Sequence, residues 1–428
     1  MSKDNMVALT NPAKNVIEDQ LTLFIRESAQ QMLKTAIEVE AQEFVAQYKG
    51  RYLPSGQQQV VRNGYLPERT VQTGIGDIAV QLPRIRDRGT GEEPITFVSN
   101  LVPKYMRRTI TIDVMLPLLY LKGISTGDFA DVLKPMLGDS AKQISPKVIS
   151  QLKANWLEDY KTWVKRCLNH KSYAYWWVDG IYLSARLEDA KSCVLVIVGA
   201  DGAGKKELIA LIDGFRESKE SWKELLLDLK QRGLTQGARL AVGDGALGFW
   251  SAVSEVYPET QHQRCWVHKT ANVMDKLPQS QQSKAKSFLH NIYLAETKAD
   301  ATKAFDHFIS HYQLKYPKAT ECLLKDKNEL LAFYAFPAEH WIHLRTSNPI
   351  ESTFATVRHR TKKSNGCFSR ETILASVFKL CQEAEKRWKY LNGKNRIAQV
   401  INFVKFIDGI AEDEIQKQED KNDDQVAA

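Results

Sequence analysis

Long apolar runs are the first thing this 428-residue chain lacks. A membrane-crossing helix needs about 20 consecutive apolar residues; the best runs here, around 114–121 and 194–199, are far shorter, so a soluble protein without membrane contact is expected. The opening MSKDNMVALTNPAKN has no apolar core of the kind a secretory signal needs. Cysteine is scarce too. Cys167, Cys193, Cys265, Cys322, Cys367 and Cys381 are scattered without regular pairing, so a reducing cytoplasm is expected rather than a disulfide framework. Acids are outnumbered, 51 Asp and Glu against 59 Lys and Arg, which leaves a net charge of +8. That balance suits a polyanionic partner, nucleic acid first.

Hydrophobic residues make up 43% of the chain, enough for more than one core, and at about 150 residues per domain two to four domains are expected. Asn11-Pro12 resembles a helix cap followed by proline in the first turn, and the stripe Leu21, Phe24, Leu33, Ile37, Phe44 predicts one long helix or a broken pair up to Gly50. From Arg62 to Arg88, glycines 64, 74 and 76 punctuate an alternation through Ile78, Val80 and Leu82, which predicts a small β hairpin. Its flank PRIRDRG reads as a solvated loop or a phosphate contact. Residues 113–166 read as helical again, with Ser125 or Thr126 as a cap, Gly138 as a stop and Ser145-Pro146 opening a further helix. Two readings stand for this pair. One is a helix-turn-helix DNA reader presenting Lys147, Ser150, Lys153 and Asn155; the other is a plain helical bundle.

Apolar density rises at Tyr173. Tyr175–Leu183, Cys193–Val198 and Glu207–Ile212 predict a three-stranded antiparallel meander. Within it, GADGAGK (199–205) has the glycines and lysine of a phosphate-binding loop, but Lys206 replaces the required Ser or Thr and ELIALI reads as a strand, so a hairpin turn is expected. Further on, Leu240–Val242 reads as a buried strand, with Gly243 and Gly245 allowing a tight turn around Asp244 and a helix over 248–256. After Pro258 the chain reads as an all-helical insertion. LRTSNPIESTFATVRHR (344–360) then starts a last amphipathic helix at Pro349, where a seven-residue spacing puts Glu351 and Arg358 on one face. Arg360, Lys362, Lys363 and Arg370 continue a basic stretch, and AEDEIQKQEDKNDDQVAA closes the chain as an acidic, disordered tail.

Three acids stand out by context. Asp179 lies within the first strand of the meander, Asp244 at a strand end and Glu351 at a helix start. An unpaired carboxylate in a strand is costly unless it meets a cation, and carboxylates suit Mg²⁺ or Mn²⁺, so the three together suggest a site for two ions.

The segments VDGIYLSARLE, GDGALGFW, QRCWVHKTAN and RTSNPIESTFATVRHRT carry a resemblance to the Mutator-type transposases of bacterial insertion sequences, a branch of the DDE recombinases, over nearly the whole chain. The family's Cys-x-x-His signature falls on Cys265 and His268. Where the family often has two threonines this chain has Thr346-Ser347, and Pro349 stands where alanine is common. The resemblance implies an α/β fold. An RNase H-like core (171–258 and 345–392) would be interrupted by an all-α insertion (259–344). It would be preceded by a helical region (1–60), a small β segment (61–104) and a possible DNA-binding helix pair (105–170), and followed by the segment 393–428. It implies Asp179, Asp244 and Glu351 as metal ligands, with Mg²⁺ or Mn²⁺, two ions, serving cleavage and strand transfer without a covalent protein intermediate. Double-stranded DNA, both transposon ends and target, is the implied partner, handled by a homodimer or larger assembly.

Around the acids, Arg358 reads either as a phosphate clamp or as an ion pair to Glu351. Cys265 and His268 read as supporting residues, because one Cys-x-x-His half does not complete a zinc site. Lys147, Lys153, Asn155, Arg360, Lys362 and Lys363 are candidate DNA contacts. Trp250, Trp266 and Trp341 read as core, or as stacking platforms for an unpaired base. A DNA-binding regulator derived from a transposase that no longer cuts is the alternative function, while a glycosidase using paired acids leaves the basic flank of Glu351 unexplained.

Overall fold

The computed structural model describes residues 20–90, 94–121, 124, 128–137, 146–183, 192–214, 216–245, 248–363 and 369–417. It is a mixed α/β chain in two compact units, Met1–Leu152 and Lys153–Ala428.

In the first unit, α1 (Gln20–Ala46) is one unbroken helix. Its Ile37 is buried with Val71, Ile78, Val80 and Val102, while Leu21 and Phe24 stay exposed. Asn11-Pro12 lies outside the described residues. The expected hairpin is present as β2 (Arg69–Thr73) with β3 (Gly76–Val80), turning at Gly76 with φ 104°. Around it closes an outer antiparallel pair, β1 (Val60–Tyr65) with β4 (Pro83–Asp87). The arginine-rich flank is therefore strand rather than loop, its Arg84 and Arg86 exposed while Pro83 is buried. That inward-outward alternation is the strand signal that the charge obscured. Two helices follow, α2 (Ile110–Leu121) and α3 (Phe129–Leu137). Ser125, Thr126 and Gly138, the expected cap and stop residues, lie outside the described residues. Pro146 opens α4 (Pro146–Val164) as expected.

The second unit is organised by a sheet in the order β7-β6-β5-β8-β9. The strands β5 (Tyr173–Leu183), β6 (Ser192–Asp201) and β7 (Lys206–Gly214) form the expected antiparallel meander. The turn at 202–205 is a hairpin turn, with Gly204 at φ 75°. Parallel to β5 lies β8 (Leu240–Gly243), and parallel to β8 lies β9 (Gln261–Arg264). This last strand falls where only helix was expected. Its sequence QHQR is polar, yet Gln263 is fully buried, donating to the carbonyl of Leu330 and accepting from the amide of Phe333 at 2.8 Å. Burial by satisfied hydrogen bonds leaves no apolar signature.

β5 is covered on both faces, which accounts for its nearly continuous apolar run. Trp176 and Val178 face a core built with α5 (Lys219–Gln231) and α6 (Phe249–Val256). Tyr175 and Trp177 face the other way, bonding His340 Nδ1 at 2.6 Å and the carbonyl of His343 at 2.9 Å. Strand alternation sets Asp179 on this second side. Here α13 (Asn348–Lys363) packs against β5. Between β9 and α13 the helices α7 (Trp266–Met274), α8 (Gln279–Tyr293), α9 (Lys298–Tyr312), α10 (Pro317–Leu324), α11 (Lys327–Leu330) and α12 (Trp341–Leu344) form a lobe. Its two ends are tied by the Trp266 amide donating to the Arg345 carbonyl at 2.8 Å. Beyond α14 (Arg370–Glu385), Ile397, Val400 and Phe406 are buried, and the start of the expected tail, 411–417, continues the fold: Ala411 is buried and 412–417 are helical. The remainder of the expected tail, 418–428, lies outside the described residues. None of the described helices is long and apolar enough to cross a membrane.

Candidate active site

Register brings the first two acids together. Val178 pairs with Gly243 across the parallel β5–β8 ladder, so the next residues, Asp179 within β5 and Asp244 just past the end of β8, lie on adjacent strands. Each carboxylate accepts a hydrogen bond from the glycine that follows it, Gly180 at 2.8 Å and Gly245 at 2.6 Å. Burial pushes Asp179 up to about 6, against the amide of Gly180 and the field of His268, with Glu351 adding to the rise and Arg358 opposing it. The backbone of Asp244 is tied to α6 by Trp250, whose indole donates to the Asp244 carbonyl at 2.7 Å. Gly245 does not take up the left-handed backbone expected of a tight turn. It leaves room instead for the Arg264 guanidinium, which a Cβ there would strike.

Arg264 ends β9 almost fully buried. Its Nε meets Asp326 at 3.0 Å and its Nη1 lies 3.8 Å from Asp244 Oδ1. Asp326 also receives Lys269, which is buried and donates to the Cys322 carbonyl at 2.8 Å. A buried charge of this kind holds only when paired, so Asp326 anchors both cations. Neither Arg264 nor Asp326 stood out in the sequence, since nothing local separates them from surface charges.

Glu351 reaches the site from the first turn of α13. Ser347, fully buried before that helix, donates its hydroxyl to Glu351 Oε1 at 2.6 Å and its amide to Cys265 Sγ at 3.4 Å. Cys265 is held to the end of β8 by its amide, which donates to the Gly243 carbonyl at 2.9 Å. Cys265, His268 and Glu351 offer ligand atoms within 4.8 Å of one another, and among the described residues this trio, rather than the three acids, forms such a group. His268 Nδ1 lies 3.9 Å from Glu351 Oε1 and has no close hydrogen-bond partner. Interaction with the Cys265 sulfur, against burial, holds His268 up to about 9, with Asp244 and Glu351 adding to the effect. Burial works against the Cys265 thiolate, but His268 and Ser347 outweigh it and pull the thiol down.

A fourth acid was not anticipated. Glu217 precedes α5, and a Cβ on Gly180 would overlap its carboxylate. Burial, then Asp179 and Asp244, push it up to about 7.

The other expected residues fall as follows. Arg358 is exposed one face-repeat beyond Glu351, 5.9 Å from the Phe354 ring. Trp266 and Trp341 are buried and donate to the carbonyls of Leu330 and Phe336, so neither offers a free stacking face. On α4, Lys153 is half-buried on the side of Trp156 and Tyr160, and Asn155 is exposed. Tyr160 donates to the Leu211 carbonyl at 2.9 Å, which ties this half of the helix to β7. The side chains of Lys147, Arg360, Lys362 and Lys363 lie outside the described residues.

Residues 1–391 match a family profile described as "Transposase, Mutator family". The transposase for insertion sequence element IST2 of Acidithiobacillus ferrooxidans is 51% identical over 280 residues, 65% of this chain and 95% of that protein. The transposase for IS6120 of Mycolicibacterium smegmatis is 49% identical over 286 residues, 67% and 88% of the two chains. The transposase for IS256 in transposon Tn4001 of Staphylococcus aureus is 29% identical over 307 residues, 70% and 75%. With most of its length matched and its acids on the motifs that suggested the likeness, the chain belongs to the Mutator family of insertion-sequence transposases, enzymes of DNA transposition.

Proposed function

We propose that the protein binds the inverted terminal repeats of an insertion sequence and catalyses DNA cleavage and strand transfer by in-line attack on phosphodiesters, using Asp179, Asp244 and Glu351 to hold Mg²⁺ or Mn²⁺, two ions, and working as a dimer or larger assembly. Family membership itself implies a DNA partner and a divalent metal. The observation that carries the proposal is the β5–β8 register, in which Asp179 within β5 and Asp244 just beyond β8 follow directly on the paired Val178 and Gly243. An antiparallel meander extended by two parallel strands supports an RNase H-like core.

The donor set fits a hard divalent cation. Asp244 and Glu351 are half-buried oxygen donors, 28% and 29% exposed, beside a third carboxylate whose burial disfavours its charge; such a cluster is relieved by a cation with oxygen preference. When bound, the ions would activate water or a 3′-hydroxyl and offset charge on the departing oxygen. The chain's own residues do the rest. Gly180 and Gly245 amides orient the two aspartates, Ser347 orients Glu351, and Arg264, locked by Asp326, steadies Asp244. Protonated His268 places a positive charge beside Glu351, and Arg358 extends a guanidinium toward a neighbouring phosphate.

Asp179→Asn, Asp244→Asn and Glu351→Gln, each assayed for Mg²⁺-dependent cleavage of a cognate end, are expected to lose at least about a hundredfold in rate. Near-normal cleavage by any one of them removes that residue from the site. Wild-type protein that binds ends but never cuts them would instead favour the inactive-regulator reading.

A further inference from the structure

We propose that the exposed face of the β1–β4 ribbon, which carries Arg84, Arg86 and Arg88, grips the phosphate backbone of duplex DNA. The inference rests on the DNA-binding part of the reading above and not on its chemistry, and it concerns a surface outside all four family-like motifs.

Strand alternation builds the surface. Along β4, Pro83 is buried and Ile85 and Asp87 are half-buried, while Arg84 and Arg86 are exposed. Arg88 is exposed in step with them, and its amide continues the pairing by donating to the Gln59 carbonyl at 2.9 Å. The inward side faces α1. Ile85 lines a cavity there with Ala41 and Val45, and Arg62, the register partner of Ile85, donates to Glu38 of α1 at 2.8 Å. The three arginines therefore share the side away from the helix. Alternate strand residues lie about 6.7 Å apart, so the row spans about 13 Å, the rise of about four nucleotides of one DNA strand. Across from it stand Gln59, Val61 and a bulge at Asn63 and Gly64, none of them charged.

Charge supplies the second step. Among the described residues the guanidiniums of Arg84, Arg86 and Arg88 have no hydrogen-bond or ion-pair partner. Other arginines of this unit are engaged: Arg26 donates to the Ile75 carbonyl at 3.0 Å, Arg62 to Glu38, and Arg69 to the Pro103 carbonyl at 2.8 Å. Asp87, the acid between Arg86 and Arg88, has both oxygens occupied, one by the Gly89 amide at 2.8 Å and the Gln59 side chain at 3.0 Å, the other by the Ile95 amide at 2.9 Å. Three like charges in a row without a counter-charge repel one another, and a polyanion laid along them relieves that. Because no bond holds the guanidiniums in one pose, they suit phosphates, which reward charge, over base edges, which are read by a fixed fork.

The test is fluorescence anisotropy on the full-length chain with two labelled duplexes, one bearing a terminal repeat and one of unrelated sequence. A chain carrying Arg84→Gln, Arg86→Gln and Arg88→Gln together is expected to bind both duplexes more weakly by a similar factor, about tenfold or more near roughly 0.1 M salt, and to show a slope of log affinity against log salt shallower by about two to three. The corresponding triple Lys chain is expected to keep the wild-type slope, since its charges remain. Wild-type affinity and slope in the triple Gln chain, with a cooperative melt to show that it is folded, overturn the proposal. So does a loss confined to the terminal repeat with the slope unaltered, which means base reading instead. Should the triple Gln chain not melt cooperatively, the three single Gln variants decide, each expected to flatten the slope by about one. If the wild-type chain binds neither duplex, the DNA-binding reading itself fails and takes this inference with it.

Discussion

Ser347 links two parts of the candidate site. Its hydroxyl bonds Glu351 Oε1 at 2.6 Å and sits 3.3 Å from Cys265 Sγ, so one buried atom aligns the acid on α13 with the Cys-His turn of α7. Residues that orient a ligand rather than bind the metal typically matter by 10–100-fold, on the order seen for outer-shell partners. Ser347→Ala is therefore expected to lower single-turnover end cleavage by about that range and to raise the Mg²⁺ concentration needed, whereas Ser347→Thr, which keeps the hydroxyl, should stay close to wild type. Equal losses in both variants would mean that packing, not the hydrogen bond, is what the position supplies. Cys265 and His268 belong to the same alignment. Their thiol and imidazole lie beside Glu351, and each biases the other toward its charged form. As Zn²⁺ ligands they would need Glu351 and a fourth donor as well.

Elements explain what the residues cannot. The central strands were legible because each is an uninterrupted apolar run, and Asp179 stood out as the one acid inside such a run. β9 was not legible: its buried Gln263 is satisfied by bonds to residues some seventy positions away, a fact that no local pattern carries. The same holds for Glu217. In sequence it lies in FRESKE, which reads as the charged first turn of a surface helix, and it gains its position from Gly180 and Gly248 in two other segments. The outer β1–β4 pair was missed because arginines line its exposed side. Gly248 gives an element-scale prediction. Since its added methyl would meet backbone on α5, Gly248→Ala should destabilise the second unit by about 1–3 kcal/mol, the usual cost of overpacking, seen as a lower urea midpoint. An unchanged midpoint would show that the α5–α6 contact can spread without cost.

At the scale of the molecule, the net charge of +8 has to be set against the acidic cluster proposed as the catalytic site. The two are compatible in the proposed reading, where basic residues would grip phosphates around that cluster and divalent cations would neutralise it. Binding of a cognate end, followed by fluorescence anisotropy, is accordingly expected to weaken steeply with salt, by about 10³-fold between roughly 50 and 200 mM for about six phosphate contacts. A flat response would exclude a phosphate-dominated grip. Family membership could be expected from four motifs lying between Val178 and Thr361, which sit where strand, turn and helix meet. What lies between the motifs was read less well, and that is where the long-range pairings are.

The backbone bond from Trp266 to Arg345 closes the helical lobe at its neck. A loop pinched at its base can change size without moving what it is rooted in. Because Trp266 follows β9 and Arg345 precedes α13, that one bond joins the edge strand of the sheet directly to the helix that carries Glu351.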